Sequence, residues 1–206
     1  MYSCASCTSV TCKSGDLENT PSNCPCNNEE IQEKVKNEYL IESNFKMARN
    51  SALVESEGYC KKTRIEEIMD FARKNKFKNL GIAFCTGLKK EAEIFTKILR
   101  ANGFQPSSII CKNGAIPKEF IGISDCEKVR PNTNEMICNP IAQAELFNES
   151  KTDLNIILGL CVGHDSLFIK YSNAPVTVLA AKDRVTAHNP LAPLYTSTSY
   201  YSKLLK

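Results

Sequence analysis

Apolar positions change character part-way along the chain. Up to about residue 78 they are sparse, and where they recur they do so at helical spacing. Ile41, Phe45, Ala48 and Ala52 follow one another at such intervals and predict helix over residues 28–56. Thr63-x-x-Glu66 reads as a capping box opening a helix whose inner face carries Ile65, Ile68, Met69 and Ala72. From Asn79 onward, short apolar runs alternate with helical stretches. Leu80–Cys85 predicts a strand, and Lys89–Ala101 a helix with Ala92, Phe95 and Leu99 inward, closed by Asn102-Gly103. Ser107–Cys111 predicts a second strand, and residues 112–137 read as irregular. Asn139-Pro140 opens a helix reaching about Asn148. Leu154–Cys161 predicts the strongest strand, Ser166–Tyr171 a short helix and Pro175–Ala180 a fourth strand. Asn189-Pro190 opens a helix-like tail with Leu191, Leu194 and Tyr195.

Strands alternating with helices predict an α/β fold: a Rossmann-like, mainly parallel sheet with helices on both faces. Residues 28–206 are assigned to this α/β domain, helical over 28–78 and alternating over 79–206. Ligands of such sheets sit beyond the carboxyl ends of the strands. Residues 1–27 do not fit this scheme. They are rich in Ser, Thr, Asn and Gly, with little apolar besides Val10 and Leu17, so they build no core of their own.

Cysteine usage gives that segment a role. Of 11 cysteines in 206 residues, Cys4, Cys7, Cys12, Cys24 and Cys26 lie in it. The start has no basic and apolar leader pattern, so a cytoplasmic chain is expected. In a reducing compartment these thiols read as ligands or reactive groups rather than disulfides. Cys4, Cys7, Cys12 and Cys24 form a Cys-x2-Cys-x4-Cys-x11-Cys array, with Cys26 as a fifth thiol. Thiolates suit zinc and iron–sulfur clusters alike. Three close cysteines followed by a remote Cys-Pro favour a 4Fe-4S cluster, because a zinc knuckle usually shows two pairs. Metal binding would also order a segment that has no core.

Cys4-Ala-x-Cys7, Cys24-Pro25 and the block Thr152-Asp-Leu-Asn-x3-Gly-Leu-Cys-Val-Gly-His-Asp-Ser-Leu-Phe-x-Lys-Tyr171 resemble a family catalogued as domain of unknown function 1847. The resemblance continues through Ala174–Thr177, Lys182–Arg184 and His188–Leu191 and spans essentially the whole chain. It implies a cysteine-rich, metal-binding protein and no particular reaction. Cys26 departs from the family pattern, which leaves the identity of the fourth ligand open.

A second group of cysteines sits at strand ends. Cys85, Cys111 and Cys161 each close a predicted strand, and Cys138 precedes the helix opened by Asn139-Pro140. In a parallel sheet all four share one edge, where they are candidate ligands of a second metal or cluster. Singly, each is also an ordinary small buried residue. Cys126 could join them from the irregular stretch, and Cys60 is incidental. His164 and Asp165 follow Cys161 and are candidate cofactor-binding residues. Gly163 permits the turn, Asp165 is placed to cap the next helix, and His164 could ligate metal or move a proton. Lys182-Asp183-Arg184 is either an anion-binding group or a solvated loop, and His188 reads as a loop residue.

The remaining features exclude several classes. A net charge of +3 from 26 basic and 23 acidic residues is too small for a nucleic-acid or membrane surface. The longest apolar stretch, near Ile156–Val162, is far short of a bilayer span. No Gly-x-Gly-x-x-Gly, P-loop or serine elbow is present. Two functions are expected to compete. One is a metal-binding protein, iron–sulfur in type, with a redox site at the sheet edge that serves a redox partner or small-molecule ligand. The other is a non-catalytic, zinc-stabilised sensor or ligand-binding module.

Overall fold

The structure is a computed structural model that describes residues 1–205. It divides into two compact units, Met1–Tyr59 and Cys60–Lys206. Cysteine density alone sets a boundary at residue 27. The compact units divide later, which groups two helices with the cysteine-rich turns.

In the first unit, tight 3-10 turns at Cys4–Ser6, Thr11–Lys13 and Pro25–Asn27 lead into α1 (Glu29–Leu40) and α2 (Glu42–Gly58). Asn28 caps α1 by accepting from the Ile31 N–H at 3.1 Å. The single helix expected over 28–56 is broken at Ile41, which is extended with ψ 125°. Asn44 Nδ2 donates to the Glu38 carbonyl at 3.0 Å, so a side chain takes an acceptor at the end of α1. The face read from the spacing is not the buried one. Ile41 and Phe45 are 49% and 54% exposed, whereas Asn50, Val54 and Gly58 are buried.

The second unit opens with α3 (Arg64–Asn75), whose Thr63/Glu66 capping box is formed as expected. Then come β1 (Asn79–Phe84), α4 (Lys89–Ala101), β2 (Gln105–Ile110), α5 (Pro140–Glu149), β3 (Leu154–Leu158), α6 (His164–Tyr171), β4 (Val176–Ala180) and the short α7 (Ala192–Tyr195). The strands form one sheet in the order β2-β1-β3-β4, and every pairing is parallel. Alternation of side chains sends β1 and β3 residues to both faces. Leu80, Ile82, Phe84, Leu154 and Ile156 pack with Ile68, Met69 and Ala72 of α3 and Ala92, Phe95 and Leu99 of α4. Ala83, Cys85 and Ile157 pack on the other side with Ala144 and Phe147 of α5 and Phe168 of α6.

This α/β arrangement fixes where a site can form. The chain leaves β1 toward β2, then returns to place β3 on β1's other side, so the order reverses between β1 and β3. The helices that follow those two strands, α4 and α6, lie on opposite faces, the arrangement in which ligands of such sheets bind beyond the carboxyl ends. The Cys85 N–H donates to the Leu158 carbonyl at 3.2 Å across that point. β3 ends at Leu158, three residues before the expected end, because Gly159 turns the chain with φ +67°.

Candidate functional site

In the first unit, local turns place Cys4, Cys12, Cys24 and Cys26 within electrostatic reach of one another, while Cys7 shares a cleft with Cys4 and Cys24. The Cys7 N–H donates to the Cys4 carbonyl at 3.1 Å, and the Cys24 N–H to the Pro21 carbonyl at 2.8 Å. Asn23 Nδ2 reaches back to Ser3 Oγ at 2.8 Å, tying the Cys24 turn to the start of the chain. Between these turns lies a cleft of about 210 Å³, lined by Cys4, Cys7 and Cys24 among others. A hydrogen bond to Cys24 pushes the Cys26 thiol up, and the charges of Cys24, Cys12 and Cys4 act in the same direction. Cys26, the fifth thiol of the sequence pattern, therefore stands among three others. Cys7 Sγ contacts Ser9 Oγ at 3.4 Å. Hydrogen bonds from Ser9 and from the Val10 backbone hold the Cys7 thiol below its ordinary range. No residue of these turns is buried in a core. Thr11 Oγ1, beside Cys12, is buried without a hydrogen-bond partner in the described residues.

In the second unit, the site is a row at the carboxyl edge of the sheet. Cys85 follows β1, Cys111 follows β2, and Cys138 immediately precedes Asn139, the N-cap of α5. The Asn139 N–H donates to the Cys111 carbonyl at 2.7 Å, which straps the two segments together. Cys111 and Cys85 are buried, at 1% and 6% exposure, and Cys138 is half-buried. Cys85, Cys111 and Cys138 pack in one cluster, with Cys111 the most buried of the three. The neighbouring thiols and burial keep the Cys111 thiol protonated, while the Thr86 N–H donates to its sulfur at 3.3 Å. The neighbouring Cys111 thiol lowers the Cys138 pKa, and His164 and Lys112 lower it further. The same thiol lowers the Cys85 pKa, helped by the Gly87 N–H and by Lys182. Cys111 has one hydrogen and can serve one neighbour at a time. Cys138 keeps His164, Lys112 and the start of α5 whichever neighbour is served.

His164 is the first residue of α6 and is shifted up chiefly by the neighbouring Cys138 side chain. Gly163, with φ +84°, occupies the N-cap position expected of Asp165. Asp165 lies inside the first turn, where Oδ1 accepts from the Ser166 N–H at 2.8 Å. A helix starting two residues earlier than expected accounts for this difference. Cys161 stands at the edge of the row, where Arg184 Nη2 donates to its sulfur at 3.1 Å. Arg184 also lies within electrostatic reach of Cys85 and Cys138.

The structure thus brings Cys85, Cys111, Cys138 and His164 into one chain of contacts, with Cys161 joined through Arg184. Cys126 is exposed and contacts Ser124 Oγ at 3.3 Å. Cys60 is exposed just after α2. His188 Nδ1 accepts from the Asp183 N–H at 3.1 Å within its own loop. Two residues escaped the sequence reading. Lys112 acts on Cys138 from the position after Cys111, and its Nζ donates to the Met136 carbonyl at 2.5 Å. Gln143 is fully buried and donates to the Ile109 carbonyl at 2.7 Å, across the ends of the strands. A Cys-Lys pair at a strand end was available as a signal for Lys112, whereas nothing local marks Gln143.

Among the described residues no three His, Cys, Asp or Glu side chains already stand around a position that would hold a metal ion. The N-terminal donor set nevertheless fits a soft metal by its chemistry. Four of its thiols, Cys4, Cys12, Cys24 and Cys26, are near enough for charge to act between them, beside a cleft and an orphaned hydroxyl.

Fold and site define a cysteine-rich α/β protein whose parallel sheet carries a thiol row at its switch point. The chain belongs to the family described as Protein of unknown function (DUF1847), whose model matches residues 24–179. It is 47% identical over 176 residues to an uncharacterised protein of Methanocaldococcus jannaschii, covering 85% of this chain and 88% of the relative. No solved structure matches. Among the described residues no helix is long and apolar enough to cross a membrane.

Proposed function

We propose that this is a cytoplasmic metal-binding protein whose N-terminal thiols hold an iron–sulfur cluster, and whose sheet edge is a separate thiol redox site. The observation that carries the reading is the gathering of Cys4, Cys12, Cys24 and Cys26 within electrostatic reach in turns that have no core. Thiols so placed repel one another once ionised, and a bound cation removes that repulsion. Cys4, Cys12, Cys24 and either Cys7 or Cys26 would hold the group. A cluster there would supply one-electron chemistry. The chain's own contribution is to orient the sulfurs through the Cys4 and Cys24 turns and to place hydrogen-bond donors beside Cys7. The sheet edge offers thiols and cations to a redox partner or small-molecule ligand.

The test is metal analysis and the visible spectrum of anaerobically purified protein. Iron and sulfide in equal amounts, with a broad visible absorption band from thiolate-to-iron charge transfer, are the expected result. Both should be lost in the Cys4→Ser/Cys24→Ser double variant. Zinc at one per chain with no visible band would favour the zinc-stabilised module. Metal content unchanged in the variant would remove the N-terminal assignment.

A further inference from the structure

We infer that Cys138 and Cys111 form a redox-active dithiol that exchanges with small disulfides, Cys138 acting as the attacking sulfur and Cys111 as the resolving one. The inference deepens the sheet-edge part of the preceding proposal and makes no use of the N-terminal thiols.

Three features of the row assign these roles. The first is access. Cys138 is half-buried, whereas Cys111 is 1% exposed, so an incoming molecule meets Cys138 first. The second is activation. Cys138 precedes the ten-residue helix α5 and has His164 and Lys112 beside it, all of which favour a thiolate. The third is resolution. Cys111 and Cys138 pack in one cluster, and the Cys111 backbone is strapped to the residue after Cys138 by the 2.7 Å bond from the Asn139 N–H. An attacking thiolate with a buried thiol against it is the arrangement that thiol–disulfide exchange requires. The three thiols pack in one cluster, and among the described residues no three ligands close on one point as a metal cage would. That shape suits transfer between adjacent sulfurs.

The chemistry balances without an added group. The Cys138 thiolate attacks one sulfur of a disulfide R–S–S–R, forming Cys138–S–S–R and releasing RS⁻, which takes a proton from the His164 imidazolium. Cys111 then loses its proton to the second leaving thiolate as its sulfur attacks Cys138 Sγ. The products are a Cys111–Cys138 disulfide and two R–SH. Two electrons have passed from the dithiol to the small disulfide, and a small thiol returns the protein to its starting state.

The experiment uses the full chain, purified anaerobically, with glutathione disulfide as the probe. After a timed incubation free thiols are alkylated, and peptides are mapped without reduction. The expected result is a cross-link between the peptides holding Cys111 and Cys138, with two glutathione thiols released per disulfide consumed. In Cys111→Ser, Cys138 should instead accumulate as the glutathione mixed disulfide. In Cys138→Ser, glutathionylation of Cys85 and Cys111 should be at least about tenfold below that of Cys138 in Cys111→Ser. The mapping on the unaltered chain needs no variant to fold and decides the matter by itself. Cys111 recovered reduced, a persisting mixed disulfide on Cys138, or a Cys85–Cys111 link in its place would overturn the inference. So would a metal that shields all three thiols in the purified protein. Metal content measured on the same sample reports on the N-terminal centre separately, so either reading can fail without the other.

Discussion

His164, at the start of α6, stands beside Cys138, at the start of α5, and each favours the charged form of the other. Cys138 is lowered, so its thiolate persists at pH values below the ordinary thiol range near about 8.5. His164 is raised, so its imidazolium persists above the ordinary value of about 6.5. The charged groups facing the pair are Lys112, Asp165, Arg184 and the neighbouring thiol Cys111. Alkylation of Cys138 by iodoacetamide, followed by peptide mass spectrometry, should show a midpoint well below that of glutathione in the same tube. His164→Gln should move that midpoint upward. A profile overlying that of glutathione in the unaltered chain would refute the activated thiolate. The stability linkage has two limbs. The His164 contribution is complete below its unfolded pKa and is lost as pH rises through the raised folded value. The Cys138 contribution is complete above the unfolded thiol pKa and is lost as pH falls through the depressed folded value.

Gly81 lies in the middle of β1, where a Cβ would stand 2.3 Å from Asn155 Oδ1 and 3.0 Å from the Phe147 ring. Asn155 is fixed by the Thr152 hydroxyl, which donates to that same Oδ1 at 2.7 Å. Gly81→Ala should therefore cost about 1–3 kcal/mol by overpacking, read as a lower urea midpoint at unchanged slope. Gly87→Ala is the control: its nearest neighbour is Lys182 Nζ at 3.8 Å, and the effect should stay within about 0.5 kcal/mol. Equal midpoints for the two variants would show that β1 tolerates a side chain there.

Asp153 precedes β3, and its Oδ2 accepts from the backbone N–H groups of Lys78 and Asn79 at 2.7 and 2.8 Å. One carboxylate thus fixes the entry to β1. Asp153→Ala should cost about 1.5–3 kcal/mol, the range for hydrogen bonds to a charged group. Asp153→Asn, which keeps an acceptor, should cost less. The check is denaturant unfolding of both variants, and equal losses would mean that the charge, not the acceptor, is what matters.

The sheet core is contributed by residues from α3 onward, and residues 1–26 contribute none of it. A chain beginning at residue 27 should retain one cooperative unfolding transition while losing the metal assigned to the N-terminal thiols. Loss of cooperative unfolding by circular dichroism would show that the cysteine-rich turns support the sheet.

How much of this was legible in the sequence differs by element. The capping box at Thr63/Glu66 and the Asn139-Pro140 helix start were readable, because side chain and backbone there interact within a few residues. So were the buried strands β1 and β3, whose short, mainly apolar runs are long-range signals written locally. The break at Ile41 was missed, since helical spacing continues across it and only Asn44 intervenes. The strand-end placement of Cys85 and Cys111, and their nearness at one edge, followed from the parallel pattern. Which thiols are immediate neighbours did not, because that depends on strand order, which no local pattern encodes. Lys112 and Gln143 were missed for the same reason: what they do is set by partners 26 and 34 residues away along the chain.

The reversal of strand order between β1 and β3 also sets a condition in time. The row draws on residues 85, 111, 138 and 164, each delivered by a different crossover or turn, so no fragment of a growing chain can assemble it. Cys85 and Cys111 can meet once β1 and β2 have paired. Cys138 and His164 arrive only after the long irregular passage and after β3 has inserted on the far side of β1. Such non-local pairings are the slow part of folding. The reactive arrangement is therefore withheld until the sheet is nearly complete, and the same thiols in an unfinished chain lack the neighbours that set them apart.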